Sequence, residues 1–262
     1  MATRPAQTDE HTFDDGTDHR RALWGVYSVF PLPAATKTKA DLYYLGYYNG
    51  NAGFDQGQAK ETRHSVGARL WRAEKPLDYN FEFLYQWGSF GDGEISAWTA
   101  ASDTGYSAAD LPFSPRFGLK ADITSGDKDP NNPDLQTFNP LFPKGAYFSE
   151  NGLIGPANFI DVNPSVVFHF LKNLTVTANW DFFWRESTRD GTYNNAVVLV
   201  RSGKSSSARY VGSEPQVQCE WNVQRHVSLV AIYAHFLAGP FLRESGPGDD
   251  VDYFTTWVTY KF

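Results

Sequence analysis

Apolar and polar residues alternate along most of the chain with a period of two, and no segment keeps the period of 3.6 that marks an amphipathic helix over three turns. A period of two places each set of residues on one face of a β-sheet. The pattern predicts eleven strands, at residues 20–31, 39–49, 61–73, 77–90, 93–106, 114–126, 161–171, 174–187, 207–222, 226–238 and 250–262, with a further candidate at 195–201.

The alternation is clearest in three of these segments, and in each the polar set lies on the other face. The apolar sets are Tyr79, Phe81, Phe83, Tyr85 and Trp87 in 77–90; Phe117, Leu119, Ala121 and Ile123 in 114–126; and Leu174, Val176, Ala178, Trp180, Phe182 and Trp184 in 174–187.

Two features favour a barrel in a membrane over a soluble sheet. Many of the strands match the 9–11 or more residues of tilted barrel strands, and aromatic residues lie near their ends. Short turns at 72–76, 171–173 and 222–225 also alternate with long polar connections at 50–60, 127–160, 188–206 and 239–249. We therefore expect an all-β, antiparallel transmembrane β-barrel of the outer-membrane type, with about eleven to twelve strands present.

Composition is compatible with this expectation. Mean hydropathy is −0.45 and aromatic residues make up 16% of the 262 residues, as expected where lipid-facing and lumen-facing residues alternate. A soluble carbohydrate-binding β protein, with the aromatic rows as its core, would have the same composition and remains an alternative. A net charge of −7 without a basic stripe argues against a nucleic-acid partner. The single Cys219 cannot form an internal disulfide.

The two ends of the sequence carry different signals. Residues 1–19 lack the apolar region of a signal peptide and are expected to form an N-terminal loop segment, with 20–262 forming the C-terminal part of a single barrel domain. Because bacterial barrels have even strand numbers, the odd count predicts that N-terminal strands are missing from this chain, together with a leader. At the other end Phe254, Val258, Tyr260 and Phe262 share one face, and this pattern resembles the signal read by the outer-membrane assembly machinery.

Several stretches resemble the alginate-export family of outer-membrane channels, in order across roughly residues 12–262. They begin at Asp41 (DLYYLG), Arg63 (RHSVGARLW), Asp78 (DYNFE), Ser102 (SDTGY), Pro115 (PRFGLKA), Ser125 (SGDKD), Gln136 (QTFNPLFPKG) and Asp181 (DFFWR). The resemblance implies an eighteen-stranded, monomeric barrel with an electropositive lumen in the bacterial outer membrane. It also implies contact with outer-membrane lipid and export of alginate or a related polysaccharide, and this chain would supply the C-terminal strands.

Cations on the polar faces are candidates for the substrate pathway, because Arg and Lys rings select anions. They are Arg63, Arg69, Arg116, Lys120 and Arg185, and the carboxylates Glu82, Asp122, Asp181, Glu214 and Glu220 share the same side. Two interpretations remain open: a ladder of weak sites for an anionic polymer, or a solvated wall of mutually paired ions without selectivity.

The 127–160 connection is too long to be a simple turn. Its apolar, proline-stiffened part would either constrict the lumen, offering Lys144 and Tyr147 to the cargo, or form an extracellular cover. Asp127, Asp129 and Asp134 are weak calcium candidates, because the spacing of an EF-hand is absent and prolines intervene. A solvated acidic loop is the preferred interpretation, and no metal is expected.

No enzyme class fits, because Ser–His pairing, zinc spacing and phosphate-binding glycine loops are absent from the pattern. No cofactor is expected. The sequence predicts a passive outer-membrane channel for export of an anionic polysaccharide. The alternatives are a diffusion porin for small anions or sugars, and the soluble carbohydrate-binding protein.

Overall fold

The computed structural model describes residues 1–7, 13–33, 36–141 and 143–262, which form one large antiparallel sheet. Its twelve strands follow one another in the order of the chain. They are β1 (Ala2–Thr3), β4 (Arg21–Pro31), β5 (Lys39–Phe54), β6 (Gly57–Arg72), β7 (Leu77–Phe90), β8 (Gly93–Ser107), β9 (Arg116–Thr124), β10 (Phe159–Leu171), β11 (Leu174–Trp184), β14 (Tyr210–Gln224), β15 (Val227–Ala238) and β16 (Val251–Tyr260).

All eleven long strands were predicted from the alternation, and β7 has the predicted bounds. Short elements complete the fold: β2 (Ala6–Gln7) pairs with β3 (Gly16–Thr17), β12 (Thr192–Tyr193) pairs with β13 (Leu199–Arg201), and helix α1 spans Pro240–Ser245. Within the described ranges, no helix has the length and apolar character needed to cross a membrane.

Three local predictions need correction. The connection expected at 50–60 is a two-residue turn, because β5 and β6 continue their pairing to Phe54 and Gly57. The candidate strand at 195–201 is only β13, which lies outside the large sheet. The first nineteen residues are not purely loop, since β1 pairs with the edge of β4.

The two ends of the sheet differ in their connections, and we name them accordingly. At the tight-turn end, two-residue turns join β10 to β11 and β14 to β15, and the longest described connection is 108–115. At the long-loop end lie two hairpin turns, at 55–56 and 91–92, and three long connections that are described over their full length, at 125–158, 185–209 and 239–250. The partly described 4–20 connection between β1 and β4 lies at the same end.

The outer face of the sheet is apolar and exposed. Phe83, Phe117 and Leu119 are each about half exposed, at 51–52%, although soluble proteins rarely leave such rows uncovered. These rows belong to the sets that the alternation grouped together. Their exposure is the expected arrangement of a transmembrane barrel, in which hydrocarbon covers the outward residues.

The inner face carries the polar residues and both buried clusters. One cluster joins Tyr43, Leu84 and Phe90 on the wall to Leu135 and Phe138 of the 125–158 connection. The second packs Ile154 of that connection and Phe241 of α1 against the far part of the wall. The core of the protein is therefore formed by loops against the inner face. The alternative prediction, in which the aromatic rows form the core of a soluble protein, is wrong. The prediction of an all-β transmembrane barrel is confirmed.

Glycines on the wall make room for aromatic rings of the neighbouring strand. Gly67 lies directly opposite Tyr43 in the β5–β6 register, and a Cβ at Gly67 would overlap the ring of Tyr43. A Cβ at Gly46 would likewise overlap the indole of Trp24. Both rings therefore lie flat across the sheet, Tyr43 on the inner face and Trp24 on the outer.

Candidate functional site

The connection 125–158, which we call the inner loop, lies against the inner face over several strands. At one end the Thr137 carbonyl accepts from Arg63 and the Asn139 carbonyl accepts from Gln86. At the other end the side-chain amide of Asn151 contacts Glu214 of β14. The loop is thus attached to β6, β7 and β14. Of the two alternatives for this segment, the structure places it on the inner wall.

The middle of the inner loop is anchored on β9. The Tyr147 hydroxyl donates to Asp122 Oδ2 over 2.9 Å, and Lys120 Nζ donates to the Tyr147 carbonyl over 3.2 Å. Lys120 Nζ also lies 3.9 Å from the centre of the Tyr147 ring and 3.5 Å from Asp122 Oδ2. Burial and the Asp122 carboxylate raise the pKa of the Tyr147 phenol, so Tyr147 acts here as a donor.

Arg63 is fully enclosed beneath the inner loop. Its guanidinium pairs with Glu61 Oε1 at 2.5 Å and donates to Gln86 Oε1 at 2.7 Å, and it lies over the ring of Phe54. Because neither Arg63 nor Glu61 reaches solvent, this pair connects wall and loop and does not line an open path.

Arg185 is also fully buried, directly after β11. It donates to the carbonyls of Thr188, Asp190, Ser206 and Ala208, and its guanidinium lies 3.9 Å from the centre of the Phe241 ring. Burial lowers the pKa of Arg185 to about 10, so it stays charged at neutral pH and holds the 185–209 connection closed.

Arg69 and Arg116 are partly exposed near the tight-turn end. Arg69 donates to Asn80 and lies 3.6 Å from Asp41 Oδ2. Arg116 donates to the Asp78 carboxylate through Nε and Nη2, and its Nη2 lies 3.4 Å from Asp103 Oδ1. Their side chains are 33% and 25% exposed, so both guanidinium groups are partly accessible on the inner face.

Buried carboxylates continue around the wall from Lys120. In the strand register Asp122 lies opposite Asp161, and Asp181 lies opposite Glu214. All four are at most 4% exposed. Asn163 donates to Asp181 at 2.8 Å, whereas both carboxylate oxygens of Asp161 lack a hydrogen-bond partner among the described residues. The middle of the inner wall is therefore acidic.

The calcium candidates do not converge on one point. Asp127 and Asp129 each accept from backbone amides two residues ahead, and Asp134 accepts from the Glu94 amide. No group of three or more His, Cys, Asp or Glu side chains in the described ranges is arranged to hold a metal. Asp127 is only 3% exposed, so the expectation of a solvated acidic loop is wrong for this residue, whereas Asp129 and Asp134 are partly exposed. Burial raises the pKa of Asp127.

Asp190 joins three segments at the long-loop end. Its Oδ2 accepts from Thr137 Oγ1 and the Asp127 amide, and its Oδ1 accepts from the Gly191 amide and Tyr193 Oη, at 2.6–2.9 Å. Burial raises the pKa of Asp190 to about 6, although these hydrogen bonds act in the opposite direction.

The remaining predicted residues lie outside the clusters described above. Lys144 is exposed on the inner loop, and Glu82 of β7 accepts from the Tyr43 hydroxyl at 2.6 Å. The proposed assembly residues Phe254, Val258 and Tyr260 of β16, and the terminal Phe262, are exposed, each at 60% or more.

A cavity of about 320 Å³ lies between the inner loop and strands β4, β5, β7, β8 and β9. It is lined by the phenols of Tyr27, Tyr43 and Tyr147, the carboxylates of Glu82 and Asp122, the amides of Gln86 and Asn139, and apolar side chains of the wall and loop. The Tyr27 and Tyr43 rings stack at 5.2 Å between centroids.

Sequence reasoning missed several residues of this site. Asp41, Asp78 and Asp161 lie on inner faces of predicted strands, so the alternation that selected Asp122 could have found them. Asn139 and Asp190 could not have been found that way, because loop contacts over long sequence separations bring them to the wall.

Comparisons with known proteins bear on the family. No curated protein matches the chain. Among solved structures, the chain is similar to outer membrane phospholipase A from Escherichia coli, with 10% identity, 92% of this chain and 78% of that chain covered and a TM-score of 0.34. An active-site mutant of the same enzyme gives 11% identity, the same coverage and a TM-score of 0.37. The family model described as alginate export matches residues 1–255, and we conclude that the chain belongs to the alginate-export family.

Proposed function

We propose that the protein is a passive outer-membrane channel for an anionic polysaccharide, in which Arg69, Arg116 and Lys120 present positive charge to the cargo. The observation that carries this proposal is their shared state: each is partly exposed on the inner face and already paired with a wall carboxylate. A carboxylate of the cargo can exchange with that partner. Such exchange keeps binding weak at several sites, as conduction requires.

Arg63 and Arg185 have a different role in this proposal. Both were candidates for the pathway, but both are enclosed and hydrogen-bonded to fixed partners. Removing one partner of a buried charged pair destabilises a protein by about 3–5 kcal/mol. We therefore assign these two arginines to the stability of the closed inner and 185–209 loops. The candidate pathway cations on the wall are thereby reduced to three, beside Lys144 on the inner loop.

The inner loop defines the closed state of the channel in this proposal. It crosses the inner face from β6 to β14, so a polymer passes only when part of the loop moves away from the wall. Export without chemical change needs no catalytic group, and the family is one of export channels. We accordingly propose no enzymatic activity.

Ion selectivity in planar bilayers tests the proposal. We expect Arg116→Gln to shift the reversal potential in a salt gradient toward lower anion preference, because the variant removes a partly exposed cation. Arg243→Gln is the matched control, since Arg243 is exposed on α1 and pairs only loosely with Asp250 at 3.5 Å. Equal selectivity of Arg116→Gln and the wild type would remove Arg116 from the pathway.

A second measurement separates polymer export from diffusion of small solutes. Liposomes containing the wild-type protein should release an encapsulated polyuronate in addition to its monomer. Release of the monomer alone would favour the diffusion porin.

A further inference from the structure

The cavity between the inner loop and the wall has the size of a small-molecule site. Its volume of about 320 Å³ lies at the lower end of the range of about 300–1,000 Å³ for ligand pockets. Phenol rings from two wall strands and from the inner loop line it, so both sides contribute a flat apolar surface with a polar tip. A sugar ring, which has apolar faces and hydroxyls at its edge, fits a site of this kind.

Hydrogen-bonding groups at the edge of the cavity are mostly acceptors. Glu82 and Asp122 provide carboxylate oxygens. The side-chain amide of Gln86 is already used within the protein, because its oxygen accepts from Arg63 and the Asn139 amide and its nitrogen donates to Ser65 and the Asn139 carbonyl. Hydroxyl groups of a sugar donate to carboxylate oxygens, so the lining matches the donors of a pyranose on the side of β7 and β9.

The charged side chains that line the cavity are both acidic. Glu82 has no ion-pair partner within the described parts of the chain, because Arg69, which lies opposite it in the register, turns to Asn80 and Asp41. Asp122 has Lys120 beside it at 3.5 Å, but Lys120 does not line the cavity. A negatively charged ligand would therefore face an uncompensated carboxylate at Glu82.

We propose that this cavity binds one uncharged pyranose unit of the transported chain. The inference rests on the proposed function and refines its cargo: the preferred polymer mixes neutral and acidic units and is not a pure polyuronate. Neutral units occupy the cavity beside Glu82. Acidic units meet Arg69 and Arg116 at the tight-turn end. On β9, six residues separate Arg116 from Asp122, or roughly 20 Å along the strand.

Residence times of two oligosaccharides in single-channel recordings test this inference. The probes are a neutral glucan hexamer and a uronate hexamer of equal length, each added to the wild-type channel in planar bilayers. We expect the neutral hexamer to block the current about tenfold longer. Equal or longer blocks by the uronate hexamer would overturn the inference without any variant being needed.

The variant Glu82→Gln tests the assignment of the charge. We expect the variant to lengthen the residence time of the uronate hexamer and to leave that of the neutral hexamer little changed. The ratio of the neutral to the uronate residence time should then fall to within about threefold. Glu74→Gln is the matched control, because Glu74 is exposed in the 73–76 turn and contacts Lys37. The heat-dependent shift on a gel confirms that each variant is folded. An unchanged ratio in Glu82→Gln would overturn the inference.

The same recordings distinguish this inference from the proposed function. Passage of both hexamers with equal residence leaves the polysaccharide channel intact and overturns only the neutral-sugar site. Exclusion of both hexamers from a channel that conducts salt overturns both.

Discussion

Tyr147, on the inner loop, donates its hydroxyl proton to Asp122 Oδ2 on the wall strand β9 over 2.9 Å. The contact joins the inner loop, which closes the channel in the proposed function, to the wall of the sheet. Lys120 reinforces it from one side by bonding to the Tyr147 carbonyl. These two contacts hold the middle of the inner loop, whose ends are held by Thr137, Asn139 and Asn151.

Removing the Tyr147 hydroxyl should favour opening. We expect Tyr147→Phe to lose a hydrogen bond to a charged group, worth about 1.5–3 kcal/mol, and to raise the mean conductance or the open fraction in planar bilayers. Tyr106→Phe is the control, because Tyr106 is 54% exposed on the outer face. An open fraction equal to that of the control would show that this contact does not restrain the loop.

The long-loop end should be more stable in mild acid. Burial raises the pKa of Asp190 from 3.8 to about 6, so the folded loops hold its proton more tightly than the unfolded loops do. The stabilisation is fully present below pH 3.8 and is lost as the pH rises through about 6, at a cost of roughly 3 kcal/mol. Hydrogen exchange of the Asp127 and Gly191 amides, corrected for intrinsic rates, should show less protection at pH 8 than at pH 5.

The variant Asp190→Asn controls for this pH dependence. Because Asn does not titrate, protection of the same two amides should be equal at both pH values, apart from effects of neighbouring groups. If the wild type instead gained protection with rising pH, the hydrogen bonds from Thr137, Tyr193 and the two amides would outweigh burial.

A charge on the outer face should prevent stable insertion. Phe83 is 52% exposed in the middle of β7, and we expect Phe83→Arg to destabilise the folded barrel in lipid by about 2–4 kcal/mol. Leu111→Arg is the matched control in the 108–115 connection, where Leu111 is 51% exposed outside the strands. Urea unfolding in vesicles measures the free energy of unfolding of both variants. An equal loss of stability in the two variants would argue that Phe83 does not face hydrocarbon.

Arg185 should matter for stability and not for selectivity. Truncation in Arg185→Ala leaves four backbone carbonyls and the Phe241 ring without their cation. We expect a loss of about 1–3 kcal/mol for each carbonyl left buried without a donor, measured as a lower temperature for the gel shift or faster proteolysis of the 185–209 connection. Reversal potentials should match the wild type, and a clear fall in anion preference would return Arg185 to the pathway.

The sequence predicts the strands better than the site, and β7 shows why. Alternation is a local property, so it located Leu77–Phe90 and assigned Phe83 and Glu82 to opposite faces. The burial of Arg63 depends on Thr137, 74 residues away. Periodicity contains no information about which loop packs against the wall. Arg63 and Arg69 therefore have the same position in the sequence pattern, although only Arg69 is partly exposed.

The closeness of Gly67 and Tyr43 also limits how β5 and β6 can pair during assembly. A slip of two residues keeps every side chain on its correct face, so the alternation alone would not prevent it. Such a slip would place Ser65 or Arg69 opposite Tyr43 in place of the glycine, and the flat ring would then collide with a side chain. Steric fit between Gly67 and Tyr43 thus selects the register of the whole β5–β6 hairpin, independently of its hydrophobic pattern.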